Sequence, residues 1–423
     1  MAVLKPIIKF ARRHRIVSGV VLGVCALVLL GVAGSAIVGA NPVLGARGAE
    51  VLRGIIGDEN VARLETWVLG WQDRLQSWAY DAGADRPQAP FSSPTPAPAT
   101  EAPTALNSPT PSPASDDTPA SQLPTPAATV DRPTSPPPTP TAAPANQPAP
   151  LKPMGQLAGE GAWSVYLQNT SGQPVGFRTF LEPDPQRAYA VAGVVALDLS
   201  ATRLYFLLGA LEPVAPGPPI DRPGRIPAND LKSGLLLAAF NGGFRAHHGQ
   251  FGAMVNGVVA LAPRPGFGTV AMYDDGHVAI GAWGTDINFG PGLRNWRQNG
   301  PLIIQNGQIN PHTADTSPDD WGYTVKGVTA AWRSGLGLSA DGKTLYYVAG
   351  NYLTLPTLAQ LLADTGAANA IQLDINSYWV DFVSIQSSAA GLKSQPLMDG
   401  MRDDDRYLHV FERDFFYVMA AAN

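Results

Sequence analysis

The fold class that the 423 residues predict is a strand-rich α+β C-terminal domain with few helices, preceded by a transmembrane helix and a disordered proline-rich linker. Three observations predict it. The run Ile16–Ala40 carries no charged residue and follows Lys5, Lys9, Arg12, Arg13 and Arg15. Of the 40 prolines, 20 fall in the 64 residues from Pro87 to Pro150. Beyond them, short apolar runs alternate with Gly, Pro, Asn and Asp, the pattern of strands joined by turns.

About 20 apolar residues cross hydrocarbon as a helix, so Ile16–Ala40 is long enough to remain in a bilayer. Its basic flank, residues 1–15, is expected on the cytoplasmic side, which puts the rest of the chain outside. Cleavage as a signal peptide near Gly34, Ser35, Ala36 or Ala40 is the alternative, but cleavable apolar cores run only ~7–15 residues. Residues 41–85 read as a juxtamembrane helical segment. Asp58 is placed to cap it, and Val61, Leu64, Val68, Trp71, Leu75 and Trp78 recur at helical spacing. Trp67, Trp71, Trp78 and Tyr80 are rings of the kind that settle at a membrane interface. A helical hairpin that self-associates or packs on the membrane surface is the bland alternative. Residues 86–150 hold too little apolar surface for a core and read as an extended tether, ~3.1 Å per residue where polyproline II forms.

Composition excludes several classes of function. A net charge of −5 leaves no polycationic footprint for nucleic acid, and one cysteine rules out a disulfide framework or a cysteine-rich metal site. The six histidines show no HxH or HExxH spacing, and there is no P-loop and no nucleophile elbow. No metal and no cofactor is expected.

Residues 151–423 are large enough for one domain. Strands are predicted at Trp163–Leu167, Ala188–Leu197, Arg203–Leu208, Leu235–Phe240, Thr269–Tyr273, Val278–Gly281, Leu302–Gln305, Thr344–Val348, Ala370–Leu373 and Trp379–Ile385. Pro356–Thr365 reads as a helix, with Pro in its first turn and Gly366 after its end.

Chemistry-bearing residues gather in a few places. Asn241-Gly242-Gly243-Phe244-Arg245 follows an apolar run; the glycines allow a sharp turn or close approach of a ligand to the backbone, and the Arg suits a phosphate. A Gly-rich hairpin capped by the Asn is the alternative. Arg333 sits between apolar Ala331 and Leu336, so it needs an anion or a structural ion pair. Asp374 ends a hydrophobic strand after a helix, a common position for ligand contact, though a turn or cap residue is also consistent with the spacing. Met401–Arg406 reads as a solvated loop. Tyr378, Trp379, Trp283 and Trp296 are candidates for sugar stacking, with core packing the alternative.

In their order, the motifs Leu237–Phe244, Gly252–Gly257, Gly300–Gly307, Arg333–Gly337 with Asp341-Gly342, and Thr354–Asp374 resemble the phosphodiester glycosidase family, over roughly Pro183–Ile385. The resemblance implies hydrolysis at an anomeric carbon whose leaving group is a phosphate monoester. It assigns Asp374 as nucleophile or base, Arg333 to the phosphate with Arg245 as second cation, and Asn241 to a sugar hydroxyl or the attacking water. Gly242, Gly243, Asn376 and Ser377 would line the substrate, and Asp381 and Asp286 are reserves for a second carboxylate. The expected partners are a glycan or sugar-phosphodiester and, through the N-terminal helix, a membrane. The expected place is the cell membrane, with the domain extracytoplasmic among envelope glycans. A non-catalytic glycan-binding module is the competing reading. After Asp374 the family's Gly-Gly-Gly-Ser run is replaced by Ile375, Asn376, Ser377 and Tyr378. Ile375 tolerates positive φ poorly, so this loop is expected to take a different course.

Overall fold

The computed structural model describes residues 48, 51–91, 143–213, 220, 222–315, 321, 326–389, 391–402 and 404–421. The expected anchor and most of the expected linker lie outside this set. Among the described residues no helix is long and apolar enough to cross a membrane.

Helix α1 (Asp58–Asp81) is continuous, and a further helical stretch, 51–56, precedes it across Gly57. Its cap differs from expectation: Asp58 lies inside the first turn, and Gly57 occupies the capping position at φ 83° with no side-chain cap. The helix docks through one face. Asp73 accepts from Arg187 Nε at 3.0 Å and from the Tyr189 hydroxyl at 2.7 Å, and the Tyr80 ring lies 6.0 Å from Tyr189. Farther along, the Phe91 ring packs on Phe180, and the Trp163 indole donates to the Ala149 carbonyl. The compact unit therefore takes in residues 86–91 and 146–150, which composition had placed in the linker.

Strands β1 (Ser164–Gln168), β2 (Pro174–Leu181), β3 (Ala192–Asp198) and β4 (Thr202–Leu207) open the domain. After the short helix α2 (Ala228–Lys232) come β5 (Leu236–Asn241), β6 (Ala253–Val255), β7 (Val258–Leu261), β8 (Gly268–Tyr273), β9 (Val278–Ala282) and β10 (Leu293–Gln298). Then follow β11 (Leu302–Gln305), β12 (Gln308–Ile309), β13 (Ala331–Ser339), β14 (Thr344–Leu353), helix α3 (Leu355–Asp364) and β15 (Ala367–Ile375). β16 (Phe382–Ser388), β17 (Gly391–Pro396) and β18 (Phe415–Ala420) end the fold. Helix α3 forms as expected, with Thr354 capping it, Pro356 in its first turn and Gly366 after it at φ 88°.

These strands form three antiparallel sheets. One runs β1-β2-β3-β14-β13-β15-β11-β12, one β7-β6-β10-β8-β9 and one β17-β16-β5-β18-β4. The strand-rich mixed class holds, and each predicted strand region contains one. Two begin three or more residues later than expected, at Ala192 and Phe382. Some of the strands that apolar patterning missed are interrupted by polar residues, whereas β7 and β18 are apolar throughout. β10 buries Arg297 and Gln298, and β2 contains Pro174, Gly176 and Arg178. Within one sheet Phe240 stacks on its cross-strand neighbours Phe382 at 5.6 Å and Phe416 at 5.2 Å, and Tyr347, from the sheet that holds β14, packs on Phe240 and Phe382. Such aromatic burial is non-directional in its driving force, so it brings the sheets together without dictating polar pairings. Those pairings form at the sheet ends next to this core.

Candidate active site

Four strand ends converge: the end of β5 (Asn241), the start of β13 (Arg333, Ser334), the end of β15 (Asp374) and the residues just before β18 (Arg413, Asp414). The continuation of β10 reaches them through Asn299, whose amide donates to the Gln372 and Leu373 carbonyls at 2.6 Å each. Its Oδ1 accepts from the Phe244 amide at 3.0 Å.

Asp374 is aimed by an irregularity in its own strand. Arg333 pairs with Ile375 and Gly335 with Gln372, so β15 uses three residues where β13 uses two. A bulge of this kind re-aims one side chain relative to the pleat. Gln372 stays with Arg333, while Asp374 turns to Arg413, whose Nη2 donates to its Oδ2 at 2.7 Å and to the Gly243 carbonyl at 2.8 Å. Only 6% of Asp374 is exposed. Burial raises its carboxyl to about 6, while the Arg413 guanidinium pulls in the opposite direction. Arg413 Nε and Asp414 Oδ1 are buried without a hydrogen-bond partner among the described residues, and the Arg413 guanidinium lies 4.5 Å from the centre of the Trp379 ring.

Two further ion pairs frame this one. Arg297 Nε donates to Asp414 Oδ2 at 2.7 Å, and its other nitrogens bind the Phe244, Phe251 and Gln298 carbonyls. Arg245 Nε donates to Glu212 Oε1 at 3.1 Å. Burial and the neighbouring Arg413 charge lower the Arg245 pKa, while Glu412 and Asp374 oppose them. Two guanidinium groups thus stand near one carboxylate that is half-titrated just below neutrality. Arg245 and Trp379 are only partly buried and mark the side on which the cluster meets solvent. Pockets of about 260 and 240 Å³ lie elsewhere, and none of these residues lines them.

The structure brings Asn241, Gly242, Gly243, Arg245 and Asp374 together, but it gives several of them roles other than those expected. Asn241 is fully engaged: its Oδ1 accepts from Tyr347 and from the Asp381 amide, and its Nδ2 donates to Gly242 O and Ser334 Oγ. It ties the sheets and has no donor left for a sugar. At Gly242 a Cβ would lie 2.4 Å from Asp414, and at Gly243 3.0 Å from Asn299, so these glycines admit the protein's own side chains instead of a ligand. Arg333 is wholly buried and, among the described residues, pairs with no carboxylate. It donates to the Leu353, Lys326, Gly327 and Thr329 carbonyls and to Gln372 Oε1. That is a structural hub, and neither the phosphate role nor a structural salt bridge describes it.

In the loop after Asp374, Ile375 completes the strand and the positive φ falls on Asn376, at 106°. Asn376 Oδ1 accepts from the Tyr378 amide, so it closes a turn, with Ser377 partly buried beside it. Asp286 is exposed and caps the Ala282 amide. Trp283 and Trp296 are buried against each other at 4.7 Å, so of the four candidate aromatics only Tyr378 and Trp379 stay near the site. Met401–Arg406 is not simply solvated: Arg406 is 7% exposed and binds Asp404 and the Tyr378 carbonyl.

Asp381, the other reserve carboxylate, is wholly buried; among the described residues only the Arg402 amide and Arg406 Nε, 3.7 Å away, stand by it as donors, and neither makes a close hydrogen bond. Burial raises it to about 7, against the pull of Arg406. An unfolded Asp loses its proton near 3.9, so between about 4 and 7 the native state holds the extra proton. Stability therefore falls as pH rises through that window and stays reduced above it. Asp381→Asn removes the titration at constant size. Its Tm should exceed the parent's by several degrees at pH 8 and match it near pH 4, and an equal difference at both pH values contradicts this.

Arg413, Asp414, Arg297 and Glu212 were missed from sequence. Two signals for them existed: Arg413-Asp414 abuts the apolar run Phe415–Ala420, and Arg297-Gln298-Asn299 directly precedes Gly300-Pro301. Charges at the edge of a buried strand must find partners.

Among the described residues, no group of three or more His, Cys, Asp or Glu is placed to hold a metal ion. Comparison with curated proteins gives no match. Among solved structures, the catalytic domain of zebrafish N-acetylglucosamine-1-phosphodiester alpha-N-acetylglucosaminidase, auto-inhibited by its pro-peptide, is similar at 15% identity. The likeness covers 62% of this chain and 87% of that one, with a TM-score of 0.37. A hypothetical protein from Synechocystis is similar at 13% identity over 61% of this chain and 62% of its own, with a TM-score of 0.29. The model of the phosphodiester glycosidase family matches residues 236–374, a segment that opens on β5 and closes on Asp374. That segment is the part of the chain that resembles a phosphodiester glycosidase domain.

Proposed function

We propose that the chain is a glycosidase that hydrolyses sugars joined through C1 to a phosphodiester, held outside the cytoplasm by Ile16–Ala40 and acting on envelope glycans or exopolysaccharide. The observation that carries the reading is the buried Asp374–Arg413 pair with Arg245 beside it, at the end of the matched segment. In the reaction the C1–O bond breaks, the phosphate monoester leaves with the bonding electrons, and water supplies the new oxygen at C1. A phosphate leaving group needs little help from an acid; the site's work is to hold its charge and the oxocarbenium-like centre. Asp374 acts as nucleophile or as base toward water in its ionised form, which exists above about pH 6. Arg245 and Arg413 hold the phosphate, in place of Arg333.

The test is incubation of the full chain with a panel of hexose-1-phosphodiesters that includes N-acetylglucosamine. Release of free sugar and phosphate monoester supports the reading. Saturable binding without release favours the glycan-binding module, a reading to which the low exposure of Asp374 lends weight. Neither binding nor release overturns both.

A further inference from the structure

Helix α1 has two apolar faces, and the domain uses one. Leu69 packs with Phe244, Phe251, Ala331 and Ile375, Val61 is buried, and Asp73 and Tyr80 face Arg187 and Tyr189. At 100° per residue these positions share a side of the helix. Leu64, Trp67, Trp71, Leu75 and Trp78 recur at three- and four-residue steps on the opposite side. They are 44%, 55%, 45%, 49% and 70% exposed. At ~200 Å² per large ring, the stripe presents several hundred Å² of apolar surface, more than scattered surface residues explain. Tyr80 was expected to join the tryptophans at an interface, but it has turned inward onto the domain.

We propose that this outward stripe is a lipid-contact surface, which lays the domain's α1 side against the headgroup layer of the membrane in which the chain is anchored. The proposal rests on the anchoring of Ile16–Ala40. Ten residues, 41–50, separate that run from Val51. They reach ~35 Å at most when extended, and the helical stretch 51–56 adds ~9 Å before Gly57, so α1 starts within ~50 Å of the bilayer surface. The side chains suit the location: tryptophan is enriched where one edge meets acyl chains and the indole N–H meets water, and leucines between the rings enter the acyl boundary. Exposed Val51, Leu52, Ile55 and Ile56 continue the apolar surface toward the anchor.

The full chain is reconstituted in phosphatidylcholine vesicles, with carbonate washing read separately from tryptophan quenching by lipid brominated near the glycerol end. Three of the nine tryptophans lie on the stripe, so brominated lipid should remove about a third of the emission, and aqueous iodide should not. Combined Trp67→Gln, Trp71→Gln and Trp78→Gln should abolish the lipid quenching; if that variant does not fold, each single change should remove about a third of it. Chain retained after carbonate but not quenched by brominated lipid overturns this proposal alone. Release by carbonate overturns the anchored reading and this one with it. In a Cys25→Ser background, efficient disulfide dimerisation of Trp71→Cys would assign the stripe to a second copy and overturn the lipid contact.

Discussion

Asp374→Asn should lower turnover of a sugar-1-phosphodiester by at least ~10³-fold, because it removes the charge that acts on C1 or on water. The effect on the fold should be smaller but real. Asn keeps an acceptor for Arg413 but leaves that guanidinium buried beside a neutral partner, and breaking one side of a buried pair costs ~3–5 kcal/mol at the upper end. Adding Arg413→Gln removes the uncompensated charge, so the double variant should melt above the single one and remain inactive. A single variant that turns over at the parent rate removes Asp374 from the chemistry. The parent's rate should rise with pH through about 6 and then level, following ionisation of the carboxyl.

Arg333→Met should be the most destabilising of the changes considered, by ~3–5 kcal/mol, since it strips donors from carbonyls of Lys326, Gly327, Thr329 and Leu353 in a dry interior. Arg333→Lys should fare little better, because an ammonium presents three donors from one point and cannot span acceptors on three segments. Thermal melting measures both. For whatever fraction stays folded, the ratio of activity on a phosphodiester to activity on an uncharged glycoside should be unchanged. A stable Arg333→Lys protein with a selective loss on the phosphodiester would return Arg333 to the phosphate.

The contrast between these residues shows what the sequence could disclose. Asp374 was legible because its signal is local: an apolar strand, after a capped helix, ending on a carboxylate. The ordered Gly-rich motifs gave the family and the segment for the same reason. The partner of Asp374 was not legible, since Arg413 lies 39 residues on and Asp414 meets Arg297 across 117. Apolar periodicity reports the face of an element and says nothing of which distant charge arrives there. Arg333 was misread for a different reason. An arginine in an apolar strand demands acceptors, but backbone carbonyls meet that demand as well as phosphate does, and no residue pattern marks carbonyls. The loop at 375–378 was half legible. Ile375 avoids positive φ as expected, but only the structure shows the strain moved to Asn376.

The central claim is that Arg245 and Arg413 hold a phosphate at Asp374, and Arg245→Gln tests it most directly, because this side chain is partly exposed and, among the described residues, pairs with Glu212 at the edge of the cluster. The measurement is kcat/KM of the full chain for a hexose-1-phosphodiester and for an uncharged aryl glycoside of the same sugar. The account predicts that Arg245→Gln lowers the first at least tenfold and leaves the second within about twofold. Equal loss on both substrates, or no loss on either, would contradict it.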